Sequence, residues 1–318
     1  MTAKVTGQAM ELDGQRIWVA GHRGMVGGTV VRRLAREDCE VICAGRDVVD
    51  LVDQRAVQDW MAETRPDAIV LAAAKVGGIA ANAARPAEFL YENLMIEANV
   101  MQAAHACDVE RLLFLGSSCI YPKMADQPIS EESLLTGPLE PTNEAYAIAK
   151  IAGIKLVQAY RAQHGRRWIS AMPTNLYGPG DSYDLETSHV LPALLRKFHE
   201  AKLRGAQEVV IWGTGAPLRE FLHCDDLADA LVFLLKAYDG DAPVNVGSGV
   251  EVSIRELAEV IADVVGYEAE LVFDASKPDG TPRKLMDSSK LHAMGWNGAR
   301  SLREGIAETY AGVLRDGF

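Results

Sequence analysis

The chain has 318 residues, 32 Lys+Arg against 44 Asp+Glu, and a formal net charge of −12. With 48% hydrophobic residues and a mean hydropathy of −0.01 it is too apolar and too evenly mixed for a disordered chain. The acidic balance excludes general binding to nucleic acid or to an anionic membrane, and no apolar run reaches the roughly 18 residues of a membrane span.

Residues 1–15 are polar, lack the apolar stretch of a secretory signal, and read as a mobile N-terminal tail. The five cysteines (Cys39, Cys43, Cys107, Cys119, Cys224) are scattered, odd in number and form no CxxC pair. That argues against a disulfide framework and a metal site, and for a reducing, cytoplasmic setting. From residue 16 short apolar runs alternate with helical stretches. Strands are expected at 17–20, 40–44, 68–73, 111–116, 168–172, 209–212 and 243–246, and helices at 27–36, 54–64 and 89–106 among others. Nearly all-apolar strands in strand–helix–strand order give an α/β fold. It is a Rossmann-type doubly wound parallel sheet with a smaller C-terminal α/β substrate lobe. Residues 16–178 and 223–249 are expected to form the sheet domain. Residues 179–222, with one helix and one strand, and 250–318 form the lobe. Ser253 and Glu256 are spaced as a capping box, and a final helix is expected over 301–315.

The first strand runs into Gly21-His22-Arg23-Gly24-Met25-Val26-Gly27. Glycines three apart at a strand-to-helix turn let backbone approach a pyrophosphate seated on the helix N-terminus. The second strand ends Ala44-Gly45-Arg46, where an NAD site carries an acid for the ribose 2′-OH. Arg46 and Arg23 suit a 2′-phosphate instead, which points to NADP(H); Asp47, next to Arg46, is the opposing signal.

Further on, Phe114-Leu-Gly-Ser117-Ser118-Cys119-Ile-Tyr-Pro122 places Ser117 at the carboxyl end of a strand, where open α/β sheets bind ligands. Tyr146 and Lys150 are four apart on one helix face. The Lys150 ammonium is expected to lower the Tyr146 pKa, so that the phenol exchanges a proton with a substrate carbonyl or hydroxyl. His223-Cys224-Asp225-Asp226 has the residue types of a metal cluster but reads as a helix start.

With these in order, the sequence resembles the extended short-chain dehydrogenase/reductases. The resemblance runs over about residues 16–315 and includes Ala72-Ala-Ala-Lys75-Val-Gly-Gly78, Pro173-Thr-Asn-Leu-Tyr-Gly178, Ser188-His-Val-Leu-Pro, Trp212-Gly-Thr-Gly, Arg219-Glu-Phe-Leu-His223 and Lys277-Pro-Asp-Gly. More narrowly, it is similar to the branch that epimerises and reduces a GDP-4-keto-6-deoxy sugar. That resemblance implies Ser117, Tyr146 and Lys150 for reduction, with Lys150 also on the nicotinamide ribose. It implies Cys119 and His189 as base and acid for inversion at C3 and C5. Both carbons are α to the C4 ketone, so each inversion takes a proton from one face and returns one to the other.

The same resemblance implies Pro173, Asn175, Leu176 and His189 along the cofactor. Lys197, Trp212, Arg219, Asp279 and Arg283 are implied for a GDP-sugar, and a homodimer through 89–106 and 143–160. Leu94, Met95, Val100, Ile151, Ile154 and Leu156 lie on more than one side of those helices. A single-activity 4-reductase or 4-epimerase, or a related GDP-4-keto sugar selected by loop 180–187, stays open, as does a non-catalytic NADP-binding protein. Residues 188–219 carry a net charge of +3 in an otherwise acidic chain, which suits a diphosphate.

Overall fold

Five of the six strands of the central sheet carry buried, nearly unbroken apolar runs, because helices cover both faces. The computed structural model describes residues 10–318 except 186, 187, 269, 278 and 299, and except the side chains of 79 and 80. The sheet holds β1 (Arg16–Ala20), β2 (Glu40–Ile42), β3 (Ala68–Leu71), β4 (Arg111–Leu115), β5 (Ile169–Pro173) and β9 (Val244–Val246). They run parallel in the order β2-β1-β3-β4-β5-β9. The order reverses between β1 and β3, which sets the ligand crevice outside the carboxyl ends of those strands.

Strand side chains alternate between two cores. Trp18, Ile69 and Phe114 face α2 (Gln54–Thr64), α4 (Pro86–Ala106) and α5 (Glu144–His164). Ile17, Val70 and Leu113 face α1 (Met25–Leu34) and α7 (Cys224–Ala237). A short α3 (Ile79–Ala84) precedes α4, and α9 (Ser289–Ala293) packs by β9.

The lobe has its own core of Leu195, Phe198, Leu257, Ile261 and Ile306, contributed by α6 (Val190–Arg204), α8 (Ile254–Val265) and α10 (Leu302–Asp316). Ser253–Glu256 and Ser301–Glu304 form reciprocal capping boxes that open α8 and α10. A four-stranded sheet bridges lobe and domain. Its order is β10 (Glu251–Ser253), β8 (Leu218–His223), β12 (Arg283–Lys284), with β6 (Asn175–Tyr177) also on β8. A separate parallel pair joins β7 (Glu208–Trp212) to β11 (Glu270–Asp274).

Two expectations are corrected. The polar start is not a loose tail throughout: Met10 N–H donates to the Lys236 carbonyl at 2.8 Å and Leu12 is buried in the α1–α7 core; residues 1–9 lie outside the described residues. Segment 179–222 holds two strands rather than one. β8 escapes a periodicity reading because charged Arg219 and Glu220 interrupt it, and Glu220 is nonetheless fully buried. Its carboxylate accepts from the backbone N–H groups of Gly249 (2.7 Å) and Met286 (3.1 Å), so the buried charge ties the loop after β9 and the chain after β12 to β8.

Candidate active site

A cavity of about 1350 Å³ opens along the carboxyl ends of β1, β3, β4 and β5 and continues under the lobe. Its floor is the glycine turn. Gly21 has φ +91°, and a Cβ there would sit 2.7 Å from Ala73 backbone. A Cβ on Gly27 would sit 2.1 Å from the Gly21 carbonyl oxygen. Only glycine closes this turn, and Gly24 then starts α1 with no side chain over its free N–H groups. His22, Met25 and Val26 border the same floor, as do Pro173, Asn175 and Leu176, whose Asn175 amide donates to the Glu220 carbonyl at 2.8 Å. At the rim Asp47 pairs with Arg23 at 2.8 Å, and Gly45 leaves the space that this pair occupies. Arg46 is 72% exposed with Asp50 3.9 Å away. Asp47 is therefore engaged by a guanidinium, and two arginines flank the place of a ribose 2′ substituent. The glycine cradle, the helix N-terminus and the arginine rim fit a dinucleotide phosphate.

At the cavity's centre Ser117, Cys119 and Tyr146 line the same wall; the Ser117 Oγ accepts from the Cys119 backbone N–H at 3.4 Å, and its hydroxyl favours the ionised form of both the Tyr146 phenol and the Cys119 thiol. Tyr146 is half-buried, its ring edge against Phe89. Its phenol is not lowered as expected. Burial first, then the Cys119 thiol and the Glu97 carboxylate, push it well above the ordinary value, and the Ser117 hydrogen bond opposes them. The Lys150 ammonium, held by Glu97 at 2.9 Å with both side chains 2% exposed, is not among the influences on the phenol.

Cys119 is buried by its surroundings, which raises its thiol. The charge of Lys284, the Ser117 hydrogen bond and the charge of Lys150 pull the other way. His189 stands at the N-cap of α6 with no side-chain bond to the helix, its ring open to the cleft. Partial desolvation and then the Lys284 charge hold its imidazole below the ordinary value. Lys284 thus acts on both Cys119 and His189.

Under the lobe, Lys197 and Lys277 stand 5.4 and 5.3 Å from the Trp212 ring, which is 55% exposed. Arg219 borders the same region. Asp279 lines the cavity but gives both carboxylate oxygens to Thr214, at 2.7 Å to the N–H and 2.9 Å to the hydroxyl. It fixes the loop carrying Trp212 and Gly213. Arg283 also borders the cavity, with its guanidinium turned onto Glu251 in a two-pronged pair at 2.6–3.0 Å. From sequence, Lys277 enters only as part of a family motif, Lys284 reads equally well as a solvated surface charge, and Glu97 is not singled out. The first two stand in the Lys277–Lys284 motif, whose strand parity was not legible. His223, Cys224 and Asp225 do come together, as side chains with partners: His223 caps α7, Cys224 accepts from Thr29, and Asp225 pairs with Arg32 at 3.3 Å.

Residues 17–247 match the NAD dependent epimerase/dehydratase family. The chain is 60% identical over 299 residues to the GDP-L-fucose synthase of Sinorhizobium fredii, covering 94% of this chain and 95% of the relative. Among solved structures it superposes on a GDP-6-OMe-4-keto-L-xylo-heptose reductase from C. jejuni with a TM-score of 0.92 at 36% identity, over 97% of this chain and 100% of the other. It superposes on a GDP-L-fucose synthetase from Naegleria fowleri bound to NADP with a TM-score of 0.89 at 28% identity, over 98% of each chain. The chain belongs to the NAD dependent epimerase/dehydratase family and, within it, to the GDP-L-fucose synthases.

Proposed function

We propose that this chain converts GDP-4-dehydro-6-deoxy-D-mannose to GDP-L-fucose by 3,5-epimerisation followed by NADPH-dependent reduction at C4. The observation that carries this reading is convergence: Ser117, Tyr146, Lys150, Cys119 and His189 all line one cavity, between the dinucleotide turn and the Trp212 end.

Ser117 and Tyr146 donate to the C4 oxygen throughout, which acidifies the C3 and C5 protons and stabilises the enolate oxyanion. Cys119 as thiolate takes a ring proton, and His189 returns one from the opposite face. Each inversion is proton-neutral. A lowered imidazole gives up its proton readily, which suits His189 as the acid. Bound NADPH supplies the hydride that C4 accepts. Tyr146 gives its proton to the resulting alkoxide, completing a carbonyl-to-alcohol reduction. Arg23 and Arg46 hold the 2′-phosphate, Gly21–Gly27 hold the pyrophosphate, and Lys150 binds the nicotinamide ribose. Lys197, Arg219 and Lys277 hold the GDP diphosphate with Trp212 against the nucleoside.

We assign the cofactor half to 16–178 and 223–249 and the substrate half to 179–222 and 250–318, in a cytoplasmic homodimer. Support for the dimer is confined to α4 and α5. Val100, Ile151 and Ile154 are buried within the chain, which leaves exposed Tyr91 and Ile148 and half-buried Leu94, Met95 and Leu156 for a second copy. Of the loop 180–187 expected to select the sugar, 186 and 187 lie outside the described residues.

The test is the configuration of the product formed from GDP-4-keto-6-deoxymannose and NADPH, read by NMR. GDP-L-fucose is expected. GDP-D-rhamnose, which is reduction without inversion, would leave a plain 4-reductase.

A further inference from the structure

Glu220 of β8 is fully buried and forms no ion pair among the described residues. Hydrogen bonds compensate its charge instead. Its Oε1 accepts from the Gly249 N–H at 2.7 Å and from the Ser248 hydroxyl at 3.4 Å, and its Oε2 accepts from the Met286 N–H at 3.1 Å. The room for it is built: a Cβ on Gly247 would lie 2.4 Å from Oε1. Met286 follows closely on Lys284, the last residue of β12. Between them, the Leu285 N–H donates to Gln127 Oε1 at 2.8 Å, and the Leu285 carbonyl accepts from the Ile129 N–H at 2.8 Å. Gln127 and Ile129 belong to the stretch after β4 that carries Cys119. The chain after Lys284 is therefore fastened to β8 on one side and to the Cys119 stretch on the other.

We propose that Glu220 is a positioning residue: its carboxylate fixes the chain just after Lys284 and so holds that ammonium beside Cys119. The inference rests on reading Cys119 as the base of the epimerisation. Lys284 lines the cavity half-buried and forms no ion pair among the described residues, so its backbone sets its place. Burial pulls the Lys284 pKa down and the Arg219 guanidinium adds to that, while Cys119 and Glu220 oppose them. Glu220 thus acts on Lys284 twice in one direction, by fixing the strand and by favouring the ammonium. The amide in Glu220→Gln accepts on one side only, so it releases either the Gly249 or the Met286 N–H. The main-chain carbonyl of Glu220 has a separate partner, the Asn175 amide at 2.8 Å on the cofactor floor, and a side-chain substitution leaves that bond in place.

The test is a double-mutant cycle on the rate at which iodoacetamide labels the Cys119 peptide near pH 8 in the full-length protein, read by mass spectrometry. Glu220→Gln is expected to slow labelling at least about threefold, which corresponds to about half a pH unit of rise in the thiol. Added to Lys284→Met, the same substitution is expected to slow it by less than about 1.5-fold, because the group it positions is already gone. Glu220→Asp keeps the charge but withdraws the oxygens by one methylene; it is expected to slow labelling too, and serves should the amide fold poorly. Labelling at the wild-type rate in both Glu220 proteins overturns the inference. Equal slowing with and without Lys284, the outcome of a merely structural role, overturns it as well. Deuterium incorporation at C3 and C5 that survives in Cys119→Ser would instead remove Cys119 from its own role, so the two failures are separable.

Discussion

Lys284 shows how one residue's parity assigns a role. On the two-residue strand β12, Arg283 turns to Glu251, while its neighbour Lys284 lies against the cavity with Cys119 and His189. Its charge favours the thiolate of Cys119, so more of the base is present at a given pH, and it makes the His189 imidazolium the readier proton donor. The sign of its removal follows. In Lys284→Met the thiol rises, so less thiolate is present at a fixed pH below its pKa. One pH unit of rise corresponds to about tenfold slower alkylation. Iodoacetamide labelling of the Cys119 peptide near pH 8, followed by mass spectrometry, should slow about tenfold, with NADPH affinity unchanged and partial recovery in Lys284→Arg. Labelling at the wild-type rate would remove Lys284 from this role.

Elements hold the cleft in register. α1 carries the dinucleotide turn, and its packing on α7 is reinforced by Arg33, which pairs with Glu37 at 2.7 Å and with Asp229 at 2.6 Å. Arg33 holds Glu37 below the ordinary carboxylate range. Hydrogen bonds from Arg33 and Trp296 do the same for Asp229 against its partial burial. Carboxylates lowered in the folded state stabilise it above their unfolded pKa, near 4, and lose that contribution as pH falls through the lower folded values. Arg33→Met should therefore cost about 1 kcal/mol at pH 7, roughly 2 °C in Tm, with the difference closing toward pH 3. A calorimetric gap independent of pH would point to lost packing instead.

This α/β half was readable from sequence because its strands are apolar runs and its turn requires glycine. The bridging sheet was not readable. β6, β10 and β12 are two or three residues long, and β8 carries a buried Glu220 that hydropathy assigns to the surface. The Ser117–Tyr146–Lys150 spacing was legible as motif. Glu97 was not, since on an apolar helix a carboxylate reads as solvated until its partner from another helix is placed. The expected fall in the Tyr146 pKa failed because its burial, like that partner, was not legible in the motif.

At the scale of the whole molecule, a chain of net charge −12 binds two anions in one cleft. The +3 of residues 188–219 overstates the local field, because Arg196 and Arg204 both pair with Glu200 on α6. At the lobe end of the cavity, the cations without an ion-pair partner among the described residues are Lys197, Arg219, Lys277 and Lys284, drawn from β8, β12, α6 and the loop between β11 and β12. Positive charge is concentrated by folding rather than by sequence block, which spares the outer surface its acidity. Among the described residues no helix is long and apolar enough to cross a membrane.

Two chemistries in one cleft is the central claim, and isotope incorporation tests it most directly. The enzyme is incubated with GDP-4-keto-6-deoxymannose and NADPH in deuterated water, and the product is read by NMR. The expected result is deuterium at both C3 and C5 of a fucose-configured product, and loss of that incorporation in Cys119→Ser with NADPH binding intact. NADPH oxidation to a product carrying no deuterium at C3 or C5 would contradict it.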